Sequence, residues 1–422
     1  MLSREESVLL TRVGPGTPMG AMMRQYWIPA AKASELAVGG PPVRLVLLGE
    51  KLIAWRDSAG RVGVMDHRCP HRCASLWFGR NEEGGLRCVY HGWKFDVNGN
   101  CLDQANLPPH QQFRDKVHAR AYPARERNGI VWVYMGPRAE PPPLPGIEAN
   151  LLPERATQIT FTMRECNWLQ AIEGEIDTSH FGFLHAGHVD PNAITPDNPI
   201  YFTVSNRQPD YHCADTDWGT MYAAYRPAED PAHLHYRWAQ FMFPFWTGIP
   251  QGDFQQHINA RAWVPMDDTH TMFIMLSRFP FECPEILPNT TDWYGRYRLA
   301  GNAANDYLID RDKQARMESY TGIDFVFQQD QAITESMGPI VDHSLETLAP
   351  SDRMIAQTRR RILRAVKSFQ DTGAPPPGVD DPALYRGARS GQLRAPRGQD
   401  WLAVYRETLA GATRAENLVP AE

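Results

Sequence analysis

What the chain has little of narrows it first. Only 7 cysteines occur among 422 residues, an odd number at irregular spacing, so no disulfide framework is expected and a reducing compartment suits the chain. No apolar run approaches the roughly 18 residues that a membrane helix needs. The opening MLSREESVLL carries acidic residues where a secretion signal would be basic and then apolar. A cytoplasmic protein with no membrane partner is the expectation. Neither sign of charge dominates: 43 basic residues stand against 49 acidic ones, a net of −6 without a long run of either, which argues against nucleic acid as a partner. Also absent are a GxGxxG following a strand and a C-x4-C-x2-C run, so neither a dinucleotide-binding unit nor a plant-type iron–sulfur module is encoded.

What is present is a pair of mixed loops. Cys69 and His71 come from one, Cys88 and His91 from a second, with sixteen residues between His71 and Cys88. A zinc finger usually draws two cysteines from one hairpin and two histidines from a helix, whereas a Rieske [2Fe-2S] centre needs two thiolates on one iron and two imidazoles on the other. One sulfur and one nitrogen per loop matches the second pattern. Pro70 fixes φ within the first loop, and Gly92 permits a tight turn beside the second. Cys101, Cys166, Cys213 and Cys283 are most simply core thiols.

A chain of this length should form two packed domains, since single cores rarely grow beyond about 250 to 300 residues. Residues 1–26 form a Gly- and Pro-punctuated lead-in. Residues 27–140 hold short β-rich runs at 43–49, 51–57, 61–66, 86–96 and 129–136, with Asn98-Gly99 as a hairpin signal. The proline-rich 141–150 is a stiff linker. Residues 151–372 open with a strand and a helical stretch, continue through strand-like runs between 200 and 280, IYFTVS among them, and turn helical around 325–338 and 351–369. Residues 373–422 look like an arm lying on the surface or on a neighbouring subunit. The class is α+β: an all-β domain, then an antiparallel sheet flanked by helices.

The second constellation lies in EGEIDTSHFGFLH. On an ideal helix Asp177 and His180 share a face, but His180 and His185 sit roughly 140° apart. Either the helix ends between them or it carries a π-type irregularity that Gly182 would permit. Two histidines leave a site one carboxylate short of the 2-His-1-carboxylate triad that binds non-haem Fe(II). Asp324, Asp330 and Glu335, on a later helical stretch, are the candidates for that acid.

Together these features resemble the Rieske ring-hydroxylating oxygenase α subunits. The loops read CxH and CxxH, flanked by HRCASL and YHGWKFDVNG, and Glu173, Asp177, His180 and His185 fall on the pattern D/E-x3-D-x2-H-x4-H without a gap. The lead-in GPGTPMG and the block from QQDQA to the aspartate and serine after GPI look like the phthalate dioxygenase-type branch. The resemblance implies a helix-grip catalytic domain, with Cys69, His71, Cys88 and His91 holding the [2Fe-2S] cluster. It assigns mononuclear Fe(II) to His180, His185 and Asp330, with Glu335 the next choice of acid. Asp177 would link that iron to a Rieske histidine of the next subunit, and Asn167 at the helix start is typical. Cys73 lies near a position that carries a disulfide in respiratory relatives, but Val89 and Tyr90 stand where its mate would be, so no clamp disulfide is implied. The implied activity is O2-dependent hydroxylation of a phthalate- or benzoate-like aromatic carboxylate; the alternative is O-demethylation or diaryl-ether cleavage of methoxylated or phenoxy aromatic acids. Implied partners are a separate NAD(P)H-dependent flavin/iron–sulfur reductase and further copies of the chain, as a trimer or a multiple of it. Arg207, Arg226 and Arg261 are candidates for binding the substrate carboxylate, and FMFPFWTGIP supplies apolar lining.

Overall fold

The computed structural model describes residues 2–187, 194–195, 198 and 200–418. Two helices open it, Arg4–Thr11 and Pro18–Met23, where the sequence suggested only a punctuated lead-in. The first is started by a capping box in which Ser3 and Glu6 each satisfy the other's backbone N–H, the second by the Thr17 hydroxyl with proline at its first position. Their buried faces, Leu10, Met19, Met22 and Met23, join the main core.

Three antiparallel sheets make up the N-terminal β region. Strands Trp27–Lys32, Ala124–Arg127 and Ile130–Tyr134 form one, and Val43–Leu47, Glu50–Arg56, Val62–Asp66 and Ala121–Tyr122 a second. The third consists of Arg80–Glu82, Gly85–Arg87, Trp93–Phe95 and Cys101–Gln104. The Asn98-Gly99 signal lies in the turn that joins its last two strands, where Gly99 takes φ of 89° and the Asp96 carboxylate accepts N–H bonds from Asn98 and Asn100. The second and third sheets share a separate core that includes Trp55, Leu86 and Phe95, whereas Trp27, Val131 and Trp132 belong to the core shared with the catalytic sheet.

The catalytic sheet is eight-stranded and antiparallel. In spatial order it runs Gln158–Arg164, Thr271–Ser277, Asn259–Pro265, Trp246–Gly248, His233–Met242, Gly219–Pro227 and Asp210–Thr216. Helices Trp168–Ile176, Val326–Ser336 and Arg353–Thr372 accompany it. Two expectations need correction. The IYFTVS run is a single helical turn, Tyr201–Ser205, because a short apolar segment has no period of its own and the burial of Phe202 and Thr203 decides its form. The segment expected to be a surface arm instead supplies the eighth strand: Gly391–Pro396 pairs with residues 233–238, and helix Trp401–Gly411 packs Val404 and Tyr405 against Trp238 and Phe254. The buried Arg389 ties this segment to Glu148. Residues 419–422, the end of that segment, lie outside the described residues. Among the described residues, no helix is long and apolar enough to cross a membrane.

Candidate active site

The two mixed loops converge at the tip of the third β-sheet. The Cys69 amide donates to Ala74 O and the Cys88 amide to Trp93 O, each at 2.8 Å, and Gly92, at φ of 78°, donates back to Cys88 O. Such turns free the direction of each side chain from the period-2 alternation of a regular strand. Cys69 and Cys88 are buried within the core of Ile53, Trp55, Leu86 and Phe95. Burial, together with the neighbouring Cys88 thiol, pushes the Cys69 thiol up to about 12. His71 and His91 meet ring to ring at 4.5 Å between centroids and are partly open to solvent. His71 also stacks on Trp93 at 4.3 Å. With sulfurs inside and imidazoles outside, the donor set fits a cluster whose inner iron takes thiolates and whose outer iron takes nitrogens.

The second set is built across two helices. Asn167 starts Trp168–Ile176 by accepting from the Leu169 amide, while its Nδ2 donates to Thr11 O and Asp268 O. The helix ends at Ile176 rather than running through a bulge. Asp177 turns extended, with ψ of 130°, and a separate turn, Phe181–Leu184, follows with His180 and His185 at its two ends. That break brings both imidazoles to one side, with ring centroids 5.1 Å apart. Asp330, from Val326–Ser336, lies between them: its Oδ1 is 3.2 Å from His185 Nε2 and 3.6 Å from His180 Nε2. Ligands in cis positions about 2.1 Å from one ion lie about 3.0 Å apart, so the three atoms fit one face of a coordination sphere.

The rings are oriented from behind. His185 Nδ1 donates to Gln329 Oε1 at 2.6 Å, while the Gln329 amide donates to Ile323 O, so that His185 Nε2 is left as the lone-pair nitrogen. His180 Nδ1 donates to Asp177 Oδ2 at 3.3 Å, and Asp177 Oδ1 accepts from the Ser179 amide and hydroxyl. Burial works against the charge on Asp330, but the imidazoles beside it, His185 first and then His180, and the Arg164 guanidinium hold its carboxyl below the usual range.

The other candidate acids are engaged elsewhere. Glu335 accepts from the Glu165 amide and the Tyr307 hydroxyl, and Asp324 is paired with Lys313 at the surface. Glu173 forms a buried bidentate pair with Arg359, which also binds Glu346; this guanidinium provides the positive charge among Glu173, Glu346 and His343.

A cavity of about 410 Å³ opens beside His180, His185 and Asp330, with Phe181, Ile249, Phe281 and Phe327 among its walls. Of the three candidate arginines only Arg261 lines it, and its guanidinium is already bound by Glu175. Arg207 is exposed beside Phe183, and Arg226 is buried with its Nε donating to Asn206 O. Arg237, Glu175 and Gln329 were not singled out from the sequence. For Arg237 a signal existed, since an arginine inside the apolar strand HLHYRWAQFM must be buried for a purpose. It lines the cavity and Nη1 donates to Thr203 Oγ1 at 3.1 Å; among the described residues its buried Nε has no partner and no carboxylate pairs with it.

Comparison with known proteins finds a match for each of the two domains. Residues 26–114 match the Rieske [2Fe-2S] domain, and residues 133–418 the family described as LigXa C-terminal domain like. The chain is 49% identical to the oxygenase subunit of 3-chlorobenzoate-3,4-dioxygenase from Comamonas testosteroni, over 96% of this chain and 98% of that one. Identity to the phthalate 4,5-dioxygenase oxygenase subunit of Pseudomonas putida is 36%, over 95% and 94%. The fold is shared with a dicamba monooxygenase bound to dicamba, with a TM-score of 0.57 at 18% identity over 83% of this chain and 99% of that chain. Two mixed Cys/His loops, a 2-His-1-Asp set and matches to both domains together place this chain among the Rieske non-haem iron oxygenases, as an oxygenase-component α subunit.

Proposed function

We propose that the chain is the terminal oxygenase that hydroxylates a benzoate- or phthalate-like aromatic carboxylate, with Arg237 receiving the carboxylate. Cys69, His71, Cys88 and His91 hold the [2Fe-2S] cluster, and His180, His185 and Asp330 the mononuclear Fe(II). When bound, this iron activates O2 with electrons relayed through the cluster from a separate NAD(P)H-dependent flavin/iron–sulfur reductase. The chain works as a cytoplasmic homo-oligomer built on a trimer, in which Asp177 bonds a Rieske histidine of the neighbour.

The observation that carries the substrate class is Arg237. A buried guanidinium without a counter-ion is costly, and burial lowers its affinity for its proton. An incoming carboxylate offsets that cost and forms charge-assisted hydrogen bonds with a fork of fixed geometry. Held there, the acid presents its ring to the apolar walls of Phe181, Phe281 and Phe327, beside Asp330. Both relatives named above act on aromatic acids by their names, which supports the same class.

Substrate depletion with a reductase present, screened across benzoates, phthalates, methoxybenzoates and phenoxybenzoates, tests the reading. A benzoate or phthalate should be consumed with O2 uptake, and Arg237→Gln should weaken its binding by about 30- to 100-fold, the loss of one charged hydrogen-bonding partner. Consumption of none of these acids would overturn the proposal, and undiminished binding by Arg237→Gln would remove the anchor.

A further inference from the structure

Two arginines line the cavity, and they are not equivalent. Arg261, on Asn259–Pro265, gives Nη1 to Glu175 Oε1 and Nη2 to Gln251 Oε1 at 3.3 Å; the side chains of the ion pair are only 6% and 7% exposed. Arg237, on His233–Met242, has a hydroxyl for a partner and no carboxylate among the described residues. Glu282, exposed at the rim, adds an acid rather than a cation.

Resting on the aromatic-carboxylate reading above, we propose that Glu175 is a specificity-determining residue. By neutralising Arg261 it leaves one guanidinium to receive a substrate carboxylate, and so selects aromatic monocarboxylates over aromatic dicarboxylates. The position of Glu175 is built in by the helix that leads to the histidines. Glu173 and Glu175 lie two residues apart on Trp168–Ile176, roughly 200° around the axis, so one reaches Arg359 and the other the cavity. The buried pairs Arg359–Glu173 and Arg389–Glu148 do not border the cavity; Glu175–Arg261 does.

The discrimination follows from desolvation. A monocarboxylate gives up the hydration of one charge and recovers it at Arg237. A dicarboxylate must strip a second charge, and the groups left to meet it are a neutral ion pair, with the Glu175 carboxylate repelling the newcomer. Removing the charge of Glu175 without its shape frees Arg261 for that second carboxylate.

Binding of benzoate and of phthalate to the holoenzyme, titrated calorimetrically without O2, reads this directly. Wild type should bind benzoate about tenfold or more tightly than phthalate, and Glu175→Gln should shift the ratio toward phthalate by about tenfold or more, through tighter phthalate binding. The double variant Glu175→Gln with Arg261→Gln, which replaces the ion pair by two amides of similar size, should return the preference to benzoate. If Glu175→Gln alone does not fold, the double variant still decides: a loss of benzoate binding of about tenfold or more would mean that Arg261 holds the substrate carboxylate itself, and would overturn the inference. An unchanged ratio in folded Glu175→Gln overturns it as well and leaves the aromatic-acid reading standing. A wild type that binds neither acid overturns that reading and this inference with it.

Discussion

A single histidine nitrogen shows how little separates a ligand from an ordinary core imidazole. His185 is buried, and Gln329 accepts its Nδ1–H, so the unprotonated Nε2 is the nitrogen 3.2 Å from Asp330. Replacing Gln329 by Leu removes that orientation while keeping much of the volume. Ferrous iron should then be held about 10- to 100-fold more weakly, with the cluster's visible spectrum unchanged, as read by metal analysis after dialysis. Asp330→Ala should strip the mononuclear iron outright, whereas Glu335→Ala should keep it and lose the support for the Glu165 amide, the Tyr307 hydroxyl and the Gln331 amide. The reverse pattern would name Glu335 as the ligand. His180 adds a pH dependence. Burial opposes its protonation, but the Asp177 hydrogen bond and the Asp330 and Glu175 carboxylates outweigh that and raise its value. Protons therefore compete with the metal, and iron affinity measured in metal-exchange titrations should fall as pH drops through this raised value. Asp330 could be singled out in the sequence only among three acids of one stretch, two of which the helix Val326–Ser336 carries, because a contact across the fold leaves no spacing to read. The four loop residues proposed for the cluster lie in fixed local patterns and could be read as a set.

Element boundaries carry the site's geometry, and here the sequence spoke unevenly. A helix that ran straight from Trp168 to His185 would have turned the imidazoles apart, and the incompatibility of their spacing with one helix face was readable from period alone. Which break occurs was not, since the ending at Ile176 depends on Asp177 bonding Ser179 and His180 rather than continuing the helix. The strands between 219 and 277 were legible from their aromatic and β-branched composition instead, since they are buried along nearly their whole length and show no alternation. Gly391–Pro396 was not: its composition is that of a loop, and it becomes a strand because the edge of His233–Met242 offers unpaired backbone groups to it. At the other end of Trp168–Ile176, Asn167 is wholly buried and bonds three backbone groups, two of them distant in sequence: the last residue of Arg4–Thr11 and the loop at Asp268. Asn167→Ala loses a cap worth about 1 kcal/mol and strands two buried carbonyls, so about 3 kcal/mol of destabilisation is expected in denaturant titrations. Iron retention should fall along with it, since the helix leads directly to His180.

At the scale of the whole molecule, the cluster loops face outward. Cys69 and Cys88 are sealed in their core, while His71 and His91 lie toward solvent beside Val89 and Tyr90, which are 58% and 54% exposed. An exposed apolar tip around the residues proposed to hold the cluster suits a contact with another subunit, which is where the proposed trimer puts it. Asp177 has one oxygen given to Ser179 and the other only weakly to His180, at 3.3 Å, so it can also accept from an imidazole arriving across that contact. Under saturating ferrous ion, Asp177→Asn should keep both metal contents and lose coupled turnover by about 100-fold, since only the charge that tunes the bridging imidazole is gone. The route itself can be tested with two dead parents. His91→Ala removes a cluster ligand and spares the iron ligands, and His180→Ala does the opposite. In a cyclic trimer each junction pairs the loops of one subunit with the catalytic histidines of the next, so random 1:1 exchange makes about a quarter of the junctions intact. Activity should reappear at about that fraction of wild type once subunit exchange is verified by mass spectrometry of tagged chains. If verified exchange restores nothing, electrons stay within one subunit and Asp177 serves only its own His180.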